Sequence, residues 1–453
     1  ILRELIAFAD QGADVFFGEP EIDTAELLRL AAHCPPAATA APALDAAAIM
    51  ARCDELAAVS SSRDGIERVY LSPEHARVNA MAARWMTEAG MRTWQDTAGN
   101  QCGRYEGATP GLPALLLGSH LDTVPDAGRY DGILGVMLAI AVVSRLHGAG
   151  RRLPFAVEVV AFGDEEGTRF GTALLGSRAL AGTWDEHWWE LEDADGTTLV
   201  EAFHEFGLDP SRIRTAARDA QDVLAYLEAH IEQGPYLEEA DRALAVVSSI
   251  AGARRFALTL TGKAGHAGGV PLDRRRDALT GAAEAVLAVE RIAREQGVIA
   301  TVGRLETFPG AVNVIPGRVE FSLDLRAETD AQRDAAWDAI EHAMSESASL
   351  RRLALTVEET HSAPAVVASS RLQDVVRAGI RATGDAEPMV LFSKAGHDAM
   401  AVADLAEYAM LFLRCEGGVS HHPDENVTEA DVATALDAFE AAVLALADGT
   451  PTA

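Results

Sequence analysis

The chain has 453 residues, 49% of them hydrophobic and 24% charged, a balance that excludes wholesale disorder. Its formal net charge of −31 argues against sequence-independent binding of DNA or RNA and against docking on an anionic membrane surface. A small anionic substrate stays open, because metals or a few arginines reverse the field inside a cleft.

Residues 1–43 end in the Pro/Ala-rich run HCPPAATAAPAL, a linker pattern, and form an arm of unknown role. From residue 44 onward helices and strands alternate. Helices are expected over 46–58 and 73–89, the second stopped by Gly90. The apolar run ALLLGS (114–119) reads as a strand buried on both faces. Asp131 and Gly132 open a helix to about His147, and FAVEVVAF (155–162) and 224–231 are further buried strands. The alternation predicts an α/β fold with a mostly parallel central sheet flanked by helices.

Near Arg254 the pattern changes. Phe256, Leu258 and Leu260 alternate with smaller or polar residues, a half-exposed strand. A helix (273–296), strands at 298–306 and 319–325, a helix (329–350) and a strand (354–359) follow. That β-α-β-β-α-β order is ferredoxin-like. The expected organisation is therefore a catalytic domain over 44–252 and 363–453, interrupted by an inserted α+β domain over 253–362.

The longest apolar run, near 133–143, is shorter than the roughly 20 residues that span a bilayer. No leader pattern opens the chain. Cys34, Cys53, Cys102 and Cys415 are widely spaced with no CxxC, which predicts neither a disulfide framework nor a thiolate zinc site. A reducing cytoplasmic location fits that usage.

Four groups of polar residues sit at strand ends. GSHLDTV and RYDGILG carry His120, Asp122 and Asp131, and Asp122 is placed to accept from the His120 ring. FGDEEGTRF carries Asp164, Glu165 and Glu166, three acids that repel one another unless a cation sits among them. HIEQGPYLE carries His230, Glu232 and Gln233, and GVSHHPDEN carries Ser420, His421 and His422. Any one of them could be an ordinary loop. Together, imidazoles with carboxylates suit zinc or manganese rather than calcium or magnesium, and a carboxylate shared by two ions gives a hydrolytic site.

GSHLDT, YDGxxG, EEGxRF, HIEQGxxLE, HAGxxP, NVIPG, AGHDA and SHxPxE occur in this order. The chain thereby resembles the hydantoinase/carbamoylase amidohydrolases, relatives of the aminoacylase and carboxypeptidase-type metallopeptidases, over roughly residues 44–447. The resemblance implies two divalent metal ions per subunit, manganese or zinc, and an inserted domain that acts as a lid and forms a homodimer. It implies that His120 and His230 ligate one ion each, that Asp131 bridges both, and that Glu166 and His421 complete the set. Glu165 is implied as general base and His266 as oxyanion donor, from the same subunit or from its dimer partner. Gln233, Asn313 and Arg326 are implied to grip a substrate's carboxylate and ureido group, with His397 close by. On residues alone, His266, Asn313 and Arg326 read as a loop histidine, a turn residue and an exposed strand arginine.

Two departures stand out. HAGGVP replaces the frequent HAGTTP, and SKAGHDA carries Lys394 where the family usually has glycine. Lys394 reads as a solvent-facing loop lysine, with contact to an anionic substrate as the alternative. His422 offers an alternative ligand, but the SHxP register selects His421.

The family cleaves C–N bonds of linear ureido and amidine compounds. RVYLSPEHARVN, GRYDG, VVAFGDEEGTRF and PGAVNVIPGRV look most similar to allantoate amidohydrolases, so allantoate is the expected substrate, giving ureidoglycine, ammonia and carbon dioxide. The alternatives are N-carbamoyl-L-amino acid hydrolase or β-ureidopropionase activity, then a metallopeptidase or aminoacylase, then a non-catalytic scaffold. No nucleic-acid or membrane partner is expected.

Overall fold

The structure, a computed structural model, describes residues 44–449. The arm at 1–43 and Cys34 lie outside the described residues.

Nine strands form the larger sheet: β1 (Arg92–Gln95), β2 (Gln101–Tyr105), β3 (Ala114–His120), β4 (Ala156–Phe162), β5 (Val223–Ile231), β6 (Leu244–Ile250), β14 (Val366–Val367), β15 (Met389–Ser393) and β16 (Tyr408–Leu413). Their spatial order is β1-β2-β4-β3-β5-β16-β6-β14, with β15 also on β6. The expectation of a mostly parallel sheet needs correction, because this sheet is mixed. Pairing is parallel along β4-β3-β5-β16. It is antiparallel where β2 meets β4 and where β6 meets β16. An apolar run buried on both faces reads the same in either direction, so orientation left no trace in β3 or β4.

The helix Ile133–Gly148 lies under this sheet. Its first turns, ILGVMLAIAVV, are buried all round in the largest apolar cluster, which explains the absence of a polar face. The helix Pro73–Glu88 starts as its sequence suggests: Ser72 caps His75 N–H and Pro73 occupies the first turn.

The smaller sheet is antiparallel, with β10 (Leu305–Phe308), β12 (Arg318–Ala327), β7 (Gly252–Thr261) and β13 (Ala354–Ala363) in that order, and β9 (Ile299–Thr301) also on β12. The single strand expected over 298–306 is thus two. Along β12 burial alternates: Val319, Phe321, Leu323 and Leu325 turn inward while Ser322, Asp324 and Arg326 turn outward. The inner face packs on the helices Ala278–Gln296 and Asp330–Leu350, with Phe256 stacked on Trp337 at 3.6 Å between ring centroids. A two-stranded ribbon joins β8 (Gly265–His266) to β11 (Val314–Ile315).

Among the described residues Cys53, Cys102 and Cys415 are free and buried, and no helix is long and apolar enough to cross a membrane.

Candidate metal centre and active site

The four parallel strands end at one edge of the larger sheet. His120 is the last residue of β3, Asp164–Glu166 follow β4, His230 is the penultimate residue of β5, and His421 lies on the loop after β16. Carboxyl ends of parallel strands are where such folds build sites.

Asp131 is the hub. Its Oδ1 lies 3.2 Å from His230 Nε2 and 4.0 Å from His120 Nε2. Its Oδ2 lies 3.0 Å from His421 Nε2, which is 3.5 Å from Glu166 Oε1. Ligand atoms of His120, Asp131 and His230 fall within 4.8 Å of one another, as do those of Asp131, Glu166 and His421. One carboxylate therefore faces two clusters with its two oxygens. The division implied by the resemblance, one ion for His120 and another for His230, is not the one this geometry gives. Both imidazoles meet on Oδ1, because β3 and β5 are hydrogen-bonded neighbours and present their ends side by side.

Local backbone features hold the cluster. Gly132 has φ +69°, and a Cβ there would sit within 2.4 Å of the His120 ring, so only glycine lets Asp131 approach. Asp164 and His421 also take left-handed backbones, φ 68° and 55°, at sharp turns that aim the neighbouring side chains inward.

Asp122 acts differently from its expected part. The His120 Nδ1 meets the Asp122 carbonyl oxygen at 3.0 Å, while the Asp122 carboxylate lies 3.7 Å away. That carboxylate instead accepts the backbone N–H groups of Glu165 and Glu166, at 3.0 and 3.1 Å. The turn after β4 exposes these two donors, and Asp122 is the buried acceptor that satisfies them.

The electrostatics suit a cation. Burial, then the charges of Glu165 and Asp131, push the Glu166 carboxyl up to about 10. Burial, followed by Asp398, Asp122 and Asp131, raises Glu165 well above the carboxylate range. Burial would raise Asp131 too, but hydrogen bonds from His230 and His421 hold it well below that range. The hydrogen bond to Asp131 raises His421 to about 9. Closely packed buried carboxylates with facing imidazoles form a donor set that divalent zinc or manganese would satisfy, so the residues present fit the implied metals.

The other expected residues divide into two sets. Gln233 Nε2 donates to Asp131 Oδ2 at 2.9 Å and lies 3.2 Å from Ser420 Oγ. Arg326 borders two cavities beside the cluster, of about 320 and 590 Å³. His397 is fully buried beneath the cluster, with its ring 4.4 Å from that of His230 and Nε2 2.6 Å from Ser393 Oγ; it borders neither cavity. His266 and Asn313 sit together on the β8–β11 ribbon, exposed, and border neither cavity. His422 is exposed beside Asp424, outside the cluster.

Besides Asp398, two buried acids at the site escaped the sequence reading. Glu425 accepts the N–H groups of Tyr130 and Asp131 at 2.8 and 3.1 Å and the Ser420 hydroxyl at 2.9 Å. It ties the loop carrying Asp131 to the loop carrying His421; the terminal E of SHxPxE was its signal. Glu228 accepts from Ser119 Oγ at 2.8 Å and from Ala399 N–H at 3.2 Å. It lies two residues before His230 on one strand face, a spacing that could have revealed it.

Comparison with known proteins agrees with the site. Residues 116–445 match the model of Peptidase family M20/M25/M40. The chain is 39% identical over 417 residues to an allantoate deiminase of Arabidopsis thaliana, covering 85% of this chain and 79% of the relative. It is 40% identical over 386 residues to an N-carbamoyl-L-amino acid amidohydrolase of Geobacillus stearothermophilus, covering 85% and 94%. The crystal structure of a hydantoinase/carbamoylase family amidase from Burkholderia multivorans superposes with a TM-score of 0.83 at 31% identity, covering 89% and 98%. The chain belongs to the M20/M25/M40 family and, within it, to the hydantoinase/carbamoylase amidohydrolases. It is a hydrolase of C–N bonds of the kind that opens ureido and amidine groups.

Proposed function

We propose that this enzyme hydrolyses allantoate to ureidoglycine, with release of ammonia and carbon dioxide, using two divalent cations, manganese or zinc, per chain. The observation that carries the two-cation reading is Asp131, whose oxygens face His120 and His230 on one side and His421 with Glu166 on the other.

Bound there, the cations supply Lewis acidity toward a ureido carbonyl oxygen and lower the pKa of water. Glu165 is the general base. It is buried, borders the larger cavity and gathers with His120 and Glu166 rather than on Asp131. It takes a proton from the attacking water and delivers it to the leaving nitrogen as the C–N bond breaks. The carbamate released falls apart to ammonia and carbon dioxide. Arg326, on the cavity wall, grips the substrate carboxylate, and Gln233 orients the ureido group. His397 serves as a support for His230 rather than as a substrate contact. His266 and Asn313 act from the lid, the segment 253–362, which we assign to closure and to homodimer formation. Their exposed ribbon suits delivery of His266 to the site of a second copy.

The choice of allantoate is supported by similarity to the plant deiminase and by the sequence phrases shared with that group. Hydrolysis of N-carbamoyl-L-amino acids is the second reading, favoured by the 40% identity to the Geobacillus relative. Ammonia release by manganese-loaded protein on allantoate, N-carbamoyl-L-amino acids and N-carbamoyl-β-alanine, each with a chelator control, decides between them. Chelator-sensitive turnover of allantoate above the others is the expected result. Preference for a carbamoyl amino acid keeps the mechanism and overturns the substrate.

A further inference from the structure

Lys394 is one of only two lysines in the chain, with Lys263. It immediately follows β15, on the loop that leads to His397. The structure does not leave it as a solvent-facing loop lysine. Its side chain is half-buried and borders both cavities beside the metal-ligand cluster. Its Nζ lies 3.2 Å from the centroid of the Tyr236 ring and 5.6 Å from that of Phe392.

Arg326 shares these walls, but the two cations differ in how they are neutralised. The Arg326 guanidinium already grips Asp324 through Nε at 2.9 Å and Nη2 at 3.2 Å, and it gives Nη1 to the Lys394 carbonyl at 2.7 Å. Asp324 is also paired with Arg255. Lys394 makes no ion pair among the described residues. The acid on its own wall, Glu232, feels the lysine's charge without forming an ion pair with it, its carboxylate being engaged with the N–H groups of Tyr236 and Leu237 at 2.9 and 2.8 Å. An ammonium held on an aromatic face, with no carboxylate paired to it, concentrates positive potential at a cavity wall. In a chain of net charge −31 that wall is a place where a small anion is drawn in.

We propose that Lys394 is a specificity-determining residue that holds the substrate carboxylate together with Arg326, so that the site selects ureido acids over their neutral counterparts. The inference rests on the ureido-acid reading above and deepens it. Arg326 keeps one free N–H on each terminal nitrogen for a carboxylate, and its charge is offset by Asp324. The lysine adds a point charge that forms no ion pair among the described residues. A glycine at this position leaves Arg326 to act alone.

Two readouts test this in the manganese-loaded protein. With allantoate, Lys394→Met is expected to raise KM about tenfold with kcat changed less than about threefold, the size of a lost charged hydrogen bond. Lys394→Arg should return KM to near the wild-type value. The second readout needs no hydrolysis. Levulinate carries a ketone and a carboxylate at the spacing of a carbamoyl amino acid but has no C–N bond to cleave, and methyl levulinate is its neutral ester. The wild type and Lys394→Arg should bind levulinate more tightly than the ester, and Lys394→Met should lose most of that preference. A wild type without preference, a Lys394→Met protein with the wild-type preference, or equal weakening of both ligands overturns the proposal. Lys394-dependent levulinate binding in a protein that hydrolyses no ureido acid would overturn the reaction assigned above and support the anion site.

Discussion

At the carboxyl ends of β3, β4, β5 and β16 the protein buries Asp122, Asp131, Asp164, Glu165, Glu228 and, nearby, Asp398. Behind β7, β12 and β13 it buries Phe256, Leu258, Phe321, Leu323 and Trp337, and Arg333 is the one charged residue buried in that region among the described residues. The smaller sheet keeps its charges paired on the outer face, as in Arg254 with Glu359 and Arg255 with Asp324. Taking an ion out of water costs several kcal/mol unless it is matched. The second region meets that cost by avoidance. The first does not avoid it: Asp164 has no hydrogen-bond partner for either carboxylate oxygen. Concentrated buried acids are a poor device for stability and a good one for holding cations and tuning proton transfer.

The contrast can be broken from either side. The largest expected effect is on chemistry. Glu165→Gln should cut turnover by about a thousandfold or more, as loss of a general base does, while metal content stays at the wild-type level. Near-normal turnover would remove Glu165 from its role. Next comes a change confined to the apolar region. Trp337→Ala removes the ring stacked on Phe256 and should cost about 3–5 kcal/mol of unfolding free energy. Metal stoichiometry should be unchanged, and a loss of metal would show that the two regions are not independent. The smallest effect is expected from Glu425→Gln, which weakens the acceptor that ties Tyr130 and Asp131 to Ser420. Metal affinity should fall about 10- to 100-fold with the fold intact, as for other supports of metal ligands. Unchanged affinity would make Glu425 a structural acid only.

The same contrast explains what the sequence made legible. The smaller sheet announced itself through alternation, because one face of β7 and of β12 is polar. In the larger sheet, β3 and β4 were legible as apolar runs, but their neighbours' directions were not. The β1–β2 pair was missed because RTWQ and QCGRY are short and carry no apolar run. At the site, the residue types at strand ends identified the acids and histidines that the fold gathers around Asp131. The aim of each side chain was not readable. Asp122 turns to the Glu165 and Glu166 amides rather than to the His120 ring, and Lys394 turns to the cavity rather than to solvent. Such choices depend on loops that meet across sequence separations of 43 or more residues, and no local pattern encodes them.

The central claim is that one buried carboxylate serves two cations. Metal content per chain, measured by inductively coupled plasma mass spectrometry after reconstitution with manganese or zinc, tests it most directly when wild type and Asp131→Ala are compared. The account predicts two ions per chain in the wild type and, without the shared ligand, loss of both from Asp131→Ala. A wild type that saturates at one ion, or an Asp131→Ala protein that retains two, would contradict it.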